Sequence, residues 1–124
     1  MSGPHILLLD SIGELARIYR YATVAFVGGS LIDAGGHNPI EPAAAGVPVC
    51  FGPSMTNFRD IAGKLVDDHA AAQVTSAAEA FAFARRMIAD EPGRRAMGEQ
   101  ARNVVAQNRG ASERTARRIV ELLA

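Results

Sequence analysis

The stretch Thr23-Val-Ala-Phe-Val-Gly-Gly-Ser30 is an apolar run that ends in two glycines, and Val49-Cys-Phe51 is a second, shorter apolar run. Both have the composition and bounding turns of buried strands. Between them, Asn38-Pro-Ile-Glu41 carries an N-cap residue, a first-turn proline and a first-turn carboxylate, which predict a helix start. Gly46 and Pro48 end that helix. Strand, helix and strand in this order predict a parallel βαβ unit.

The same alternation extends outward in both directions. Upstream, residues 5–9 (His-Ile-Leu-Leu-Leu) predict another strand, and Ser11 and Glu14 have capping-box spacing at the start of a helix. Downstream, residues 57–66 have helical periodicity and residues 71–74 predict a fourth strand. Three helices are then expected, over residues 76–90, 92–107 and 112–124. The predicted fold class is α/β: a Rossmann-like parallel sheet with helices on both faces and a helical C-terminal tail.

Length and composition are those of one globular domain, expected over residues 1–124, with 48% hydrophobic and 21% charged residues. Thirteen Lys and Arg balance thirteen Asp and Glu, so no nucleic-acid partner is expected. One cysteine, Cys50, and three scattered histidines do not suggest a metal site, and neither a metal nor a cofactor is expected. No apolar run approaches the about 20 residues needed to span a bilayer, so the chain is expected to be soluble.

Ligands of open parallel sheets bind beyond the carboxyl ends of the strands, which makes residues 28–41 the first candidate site. Its glycines let the backbone approach an anion, and the helix start offers amides to a phosphate. Glu41 could accept two hydrogen bonds from a ribose diol, and phosphate with sugar indicates a nucleotide. Glu41 could equally complete a capping box with Asn38, so both interpretations stay open. At the second strand-to-helix turn, residues 10–14, a structural cap is the simpler interpretation.

Familiar nucleotide motifs and marked nucleophiles are missing from the sequence. Neither G-x-G-x-x-G nor G-x-x-x-x-G-K-[ST] occurs, which leaves NAD and P-loop chemistry without support. Ser30 lacks the setting of a catalytic serine, and Cys50 lies mid-strand, as an inert core thiol does. His37 could meet a phosphate or simply face solvent. No catalytic residue is assigned.

Several motifs stand in a fixed order along the chain: Asp10-Ser-Ile-Gly-Glu-Leu15, Tyr19, Ala25-Phe-Val-Gly-Gly-Ser30, Gly35-Gly-His-Asn-Pro-Ile-Glu-Pro42, Gly46-Val-Pro-Val49, Gly52-Pro53 and Asn57-Phe58. Together they resemble the C-terminal, donor-nucleotide-binding part of bacterial 3-deoxy-D-manno-octulosonic acid (Kdo) transferases. The resemblance implies part of the second domain of a GT-B glycosyltransferase. Such enzymes transfer Kdo from CMP-Kdo to a lipid A precursor in lipopolysaccharide biosynthesis, with inversion, at the cytoplasmic face of the inner membrane.

The resemblance also implies which residues bind the CMP part of the donor. Those that line the cytidine end are Ile12, Gly13 and Glu14. Those that meet the ribose and phosphate are Asn38, Pro39, Ile40 and Glu41. Those that flank the pocket are Gly29, Ser30 and His37.

Family members are longer than this chain, and the missing part has consequences. The resemblance implies that the N-terminal acceptor domain, with the catalytic glutamate, the lipid A precursor site and the membrane contact, lies outside this chain, as does a further contact to CMP. The chain alone is therefore expected to be inactive. Two alternatives remain: part of a GT-B enzyme that uses a UDP-sugar, or a stand-alone Rossmann-like nucleotide-binding or interaction module.

Overall fold

The structure is a computed structural model, and it describes Gly3 and residues 5–123. Two short 3-10 helices lie at Tyr19–Tyr21 and Thr56–Phe58. The strands and α-helices are, in chain order, α1 (Leu15–Ile18), β1 (Ala25–Phe26), α2 (Ile40–Ala44), β2 (Val49–Phe51), α3 (Arg59–Asp67), β3 (Ala71–Gln73), α4 (Ala77–Ala89) and α5 (Glu91–Leu123).

The three strands form one parallel sheet in the order β1-β2-β3. Val49 pairs with Ala25 on one side and with Ala71 on the other, so β2 is the central strand. Helix α2 connects β1 to β2, and α3 connects β2 to β3. This confirms the predicted Rossmann-like arrangement. Because all three strands run the same way, their carboxyl ends meet at one edge of the sheet.

Side chains of β2 alternate between two faces, and helices cover both. Val49 and Phe51 belong to a core that includes residues of α2, α3 and α5. Cys50 points to the opposite face, where it packs with Phe83 and Met87 of α4. The prediction of helices on both faces of the sheet is confirmed.

The C-terminal tail is helical, but it contains one helix where the sequence predicted two. Helix α5 runs for 33 residues and passes through Gly110, where a break was predicted. Its first half is anchored by buried Ala101 and Val104, and Gly98 lies so close to Gly46 that a Cβ would meet the Gly46 carbonyl. A glycine inside a helix costs only about 1 kcal/mol, which an anchored helix tolerates.

Residues 5–9 are not a strand in the structure, so that prediction is wrong. Ile6 is 99% exposed and Leu7 is 84% exposed. The capping box predicted at the next turn is also wrong, because α1 has Glu14 as its N-cap residue and no side chain caps it. A strand needs a partner for its backbone groups, and the sequence pattern alone does not supply one.

No helix among Gly3 and residues 5–123 is both long and apolar enough to cross a membrane.

Candidate functional site

The loop that follows β1 folds back on itself at the carboxyl edge of the sheet. The amide of Gly36 donates to the carbonyl of Gly29 at 3.0 Å, and the amide of His37 donates to the carbonyl of Gly28 at 3.1 Å. Gly29 has φ of 68°, and a Cβ there would lie 3.0 Å from Cδ2 of His37. Glycine at this position therefore lets the exposed His37 ring lie against the backbone.

Ser30 ties this loop to the turn that follows β2. Its hydroxyl donates to the carbonyl of Val27 at 2.6 Å and accepts from the amide of Gly52 at 2.8 Å. The residue is fully buried. Both hydrogen bonds are made within the protein, so Ser30 positions the two loops and does not present its hydroxyl to a ligand.

The two loops pack tightly enough to act as one unit. The amide of Gly35 donates to Oγ of Ser54 at 3.1 Å, and the amide of Asn57 donates to the carbonyl of Gly35 at 3.0 Å. A Cβ on Gly36 would collide with Sδ of Met55. These contacts hold the loop after β1 against the turn after β2, and so they fix the direction in which the chain enters α2.

The N-cap residue of α2 is Pro39, one residue later than predicted, and the side-chain hydrogen bond at this turn comes from Asn38. Its Oδ1 accepts from the amide of Ile40 at 2.8 Å, and Pro39 beside it is fully buried. Glu41 is exposed, and within the part of the chain that the structure describes its carboxylate makes neither a hydrogen bond nor a salt bridge. No contact therefore supports the capping-box interpretation of Glu41, and its carboxylate is exposed.

Tyr19 brings the N-terminal segment to this turn. The 3-10 helix Tyr19–Tyr21 packs against α2. Burial raises the pKa of the Tyr19 phenol, and the negative charge of Glu41 raises that pKa further. Tyr19 was among the residues of the resemblance, but the sequence gave it no role at the site, and in the structure it is partly buried.

The predicted cytidine contacts, Ile12, Gly13 and Glu14, lie in an exposed segment. Ile12 is fully exposed, and Gly13 has φ of 90°. The carbonyl of Glu14 accepts hydrogen bonds from the amides of Arg17 and Ile18, as the first turn of a helix requires. Within the described residues, no hydrogen bond joins this turn to Asn38 or its neighbours.

A cavity of about 350 Å³ opens beside the start of α2. Ile40 lines one side, and residues 56–61 with Asn108 of α5 line the rest. The sequence patterns did not assign residues 56–61 to a site, although Asn57-Phe58 was among the motifs of the resemblance. Over residues 5–123, no three His, Cys, Asp or Glu side chains converge as a metal ion would require.

A parallel α/β sheet with a glycine loop and a helix start at its carboxyl edge defines a Rossmann-like ligand-binding domain. No protein-family model matches the chain. The chain is 44% identical over 115 residues to the 3-deoxy-D-manno-octulosonic acid transferase of Bordetella pertussis, which covers 91% of this chain and 27% of that protein. Its identity to the enzyme of the same name from Haemophilus influenzae is 39% over 110 residues, or 88% of this chain and 26% of that protein.

A solved structure shares the fold. It is the crystal structure of the C-terminal CMP-Kdo binding domain of WaaA from Acinetobacter baumannii, with a TM-score of 0.73 and 34% identity. The match covers 78% of this chain and 51% of that one. Sequence and fold thus confirm the resemblance: the chain matches the C-terminal part of the Kdo transferase family. It spans about a quarter of the length of the curated relatives.

Proposed function

We propose that this chain is the donor-binding part of a Kdo transferase and holds CMP-Kdo at the carboxyl edge of its sheet. The observation that carries the proposal is the exposed carboxylate of Glu41, which makes neither a hydrogen bond nor a salt bridge among the described residues. It lies at the start of α2, next to two loops that are hydrogen bonded to each other. The structural relative described as a CMP-Kdo binding domain supports the same assignment.

Each residue at the turn receives a role that follows from its chemistry. Glu41 accepts hydrogen bonds from both ribose hydroxyls, because a carboxylate offers two acceptor oxygens. The backbone amide of Asn38 lies toward the phosphate, because the amide of Ile40 already donates to Oδ1 of Asn38. Pro39 fixes the turn, and the Ile40 side chain lines the cavity beside it. Helix α2 has only five residues, so individual amides contribute more than a helix dipole.

The remaining site residues surround that turn. Gly29 and His37 flank the phosphate side of the turn. Buried Ser30 supports them through its hydrogen bonds to Val27 and to Gly52, which follow β1 and β2. The turn of Ile12, Gly13 and Glu14 covers the cytidine base, and Tyr19 attaches the segment that carries it to α2.

The whole protein is proposed to be an inverting GT-B glycosyltransferase. A hydroxyl of a lipid A precursor attacks the anomeric carbon of Kdo, and CMP leaves. This part stabilises the leaving phosphate with its amides, while the N-terminal domain supplies the base, the acceptor site and the contact with the cytoplasmic face of the inner membrane. The product enters lipopolysaccharide biosynthesis.

The chain alone should transfer no sugar, because the roles proposed for it are all contacts to the donor. The measurement is Kdo transfer from CMP-Kdo to a lipid A precursor, with the chain as the only protein. Turnover above the background without protein would contradict the proposed division of labour.

Replacing Glu41→Gln tests the assignment of the ribose contact. The amide keeps one acceptor oxygen and loses the charge, which should weaken CMP binding by roughly 10- to 150-fold, or about 1.5–3 kcal/mol. The free energy of unfolding should change by less than about 1 kcal/mol. Both quantities follow from a CMP titration paired with a urea melt of this chain.

The matched control is Glu99→Gln, the same chemical change at an exposed position of α5. It should alter neither CMP affinity nor stability. UDP, titrated in parallel, should bind more weakly than CMP. Unchanged CMP affinity in the Glu41 variant, or a joint loss of affinity and stability, would show that Glu41 stabilises the turn and does not contact the ribose.

A further inference from the structure

A second cavity, of about 290 Å³, lies at the carboxyl ends of β2 and β3. Phe51 and Gln73, the last residues of those strands, form its floor, and Arg59, Gly63 and Asp67 of α3 line one side. Ligand pockets in proteins begin at about 300 Å³, so this volume suits one sugar unit and is too small for a whole nucleotide sugar.

This cavity adjoins the cavity beside the start of α2. It shares Thr56 and Arg59 with the cavity of about 350 Å³ beside Ile40. Thr56 and Arg59, which follow β2, therefore lie between the start of α2 and the carboxyl ends of β2 and β3. A ligand with its phosphate at the start of α2 can extend along this path.

The polar groups of the cavity differ at its two ends. Arg59 is the first residue of α3 and Asp67 the last, so their backbones are separated by about 12 Å along the helix axis. Within the described residues, Arg59 makes no ion pair. A cation in the first turn of a helix faces the positive end of the helix dipole, so the position of Arg59 does not serve the stability of α3.

We propose that this cavity receives the sugar acid of the donor, with Arg59 paired to its carboxylate. Guanidinium groups bind carboxylates through two parallel hydrogen bonds. Asp67, at the other end of α3, and Gln73, at the carboxyl end of β3, accept hydrogen bonds from the sugar hydroxyls. The inference rests on the proposed function, since the relatives act on an octulosonic acid and it is this acid group that calls for a cation.

Replacing Arg59→Gln tests the inference through the ratio of two affinities of this chain, for CMP-Kdo and for CMP. Loss of a hydrogen-bonded charge pair should weaken CMP-Kdo binding by at least about tenfold, while CMP binding stays within about threefold. Arg59→Lys keeps the charge and loses the paired geometry, so its affinity for CMP-Kdo should lie between those of Arg59→Gln and the parent chain. Lys64→Gln removes a cation from the same helix outside this cavity and should change neither affinity.

Gly63→Leu provides a second test that does not remove a charge. A Cβ at Gly63 meets nothing within 4 Å, so the helix accepts a side chain, and the leucine should fill the cavity. We expect weaker CMP-Kdo binding, unchanged CMP binding and no loss of thermal stability.

The outcomes separate the inference from the proposed function. An equal loss of affinity for CMP and for CMP-Kdo in Arg59→Gln, which leaves the ratio of the two affinities unchanged, would contradict the sugar site but not the nucleotide site. No loss of either affinity would contradict the sugar site as well. A parent chain that binds neither ligand would overturn both.

Discussion

Two strand-to-helix turns of this chain look alike in sequence and differ in the structure. Residues 10–14 and residues 38–41 both combine a polar cap residue with a carboxylate near a helix start. In the second turn Pro39 is fully buried and Oδ1 of Asn38 accepts from the amide of Ile40. In the first turn Ile12 is fully exposed, and the N-cap residue Glu14 makes no side-chain cap hydrogen bond. Because the two turns have similar sequence patterns, the structural difference between them comes from the parts of the fold that surround each turn.

The surroundings are the paired sheet and the loop after β2. The second turn follows β1, which pairs with β2, and its loop is hydrogen bonded to residues 52–57. The first turn follows residues 5–9, which pair with no strand, and it reaches the fold through Tyr19. A turn becomes a defined site where non-local backbone hydrogen bonds hold both of its ends.

The largest effect is expected from breaking the contact between the two loops with Gly52→Ala. A Cβ at Gly52 would collide with the backbone carbonyl of Ser30, which cannot move without disturbing the hydrogen bonds of Ser30. We expect a loss of about 3 kcal/mol in the free energy of unfolding, measured by urea denaturation. CMP binding should weaken as well, because the loop that leads into α2 is displaced.

The matched control for that change is Gly63→Ala, at a helical position where the added Cβ meets nothing within 4 Å. It should gain about 0.5–1 kcal/mol of stability. A Gly52 variant as stable as this control would mean that the two loops are held apart from each other in solution.

A smaller effect is expected from alkaline pH, through the central strand. Burial raises the pKa of the Cys50 thiol from 9.0 to about 11. As the pH rises, the unfolded chain therefore releases the Cys50 proton before the folded chain does. The stabilising contribution of the protonated thiol is complete below pH 9 and is lost as the pH rises to about 11. The loss should be about 2–3 kcal/mol.

Urea melts from pH 8 to pH 11 measure this loss, with Cys50→Ala as the reference that lacks the thiol. Tyr19, whose pKa is also raised, lowers stability in both proteins, so the difference between them isolates Cys50. Parallel curves for the two proteins would place the thiol in contact with water, contrary to the core around β2.

The smallest effect is expected from the N-terminal segment. Leu7→Ser changes a side chain that is 84% exposed, and the free energy of unfolding should shift by less than about 0.5 kcal/mol. Leu8→Ser, equally exposed, should behave in the same way. A loss above about 1 kcal/mol in either variant would mean that residues 5–9 do pack as a strand, and the contrast between the two turns would disappear.

Sequence patterns predicted the elements that depend on local signals. The strand at Val49–Phe51 follows from its apolar run. Helix α4 has Ser76 as its N-cap residue, at the position where a helix was expected to start, and the Ser76 side chain accepts from the amide of Glu79 at 3.2 Å. Asn38 likewise makes a local hydrogen bond at the helix start predicted there, although the N-cap residue of α2 is Pro39. These features arise from residues within four positions of each other, so no knowledge of the fold is needed to expect them.

Sequence by itself therefore determined the α/β class, the parallel order of strand and helix, and the motifs that match the Kdo transferase family. Tertiary structure decided what those signals left open. It left residues 5–9 without a strand partner, continued α5 through Gly110 and left the carboxylate of Glu41 without a capping contact. It also placed Arg59 in one cavity with the last residues of β2 and β3. The physical reason is that a strand, a long helix and a cavity each depend on contacts between residues far apart in the chain, and local patterns do not encode which partners will meet.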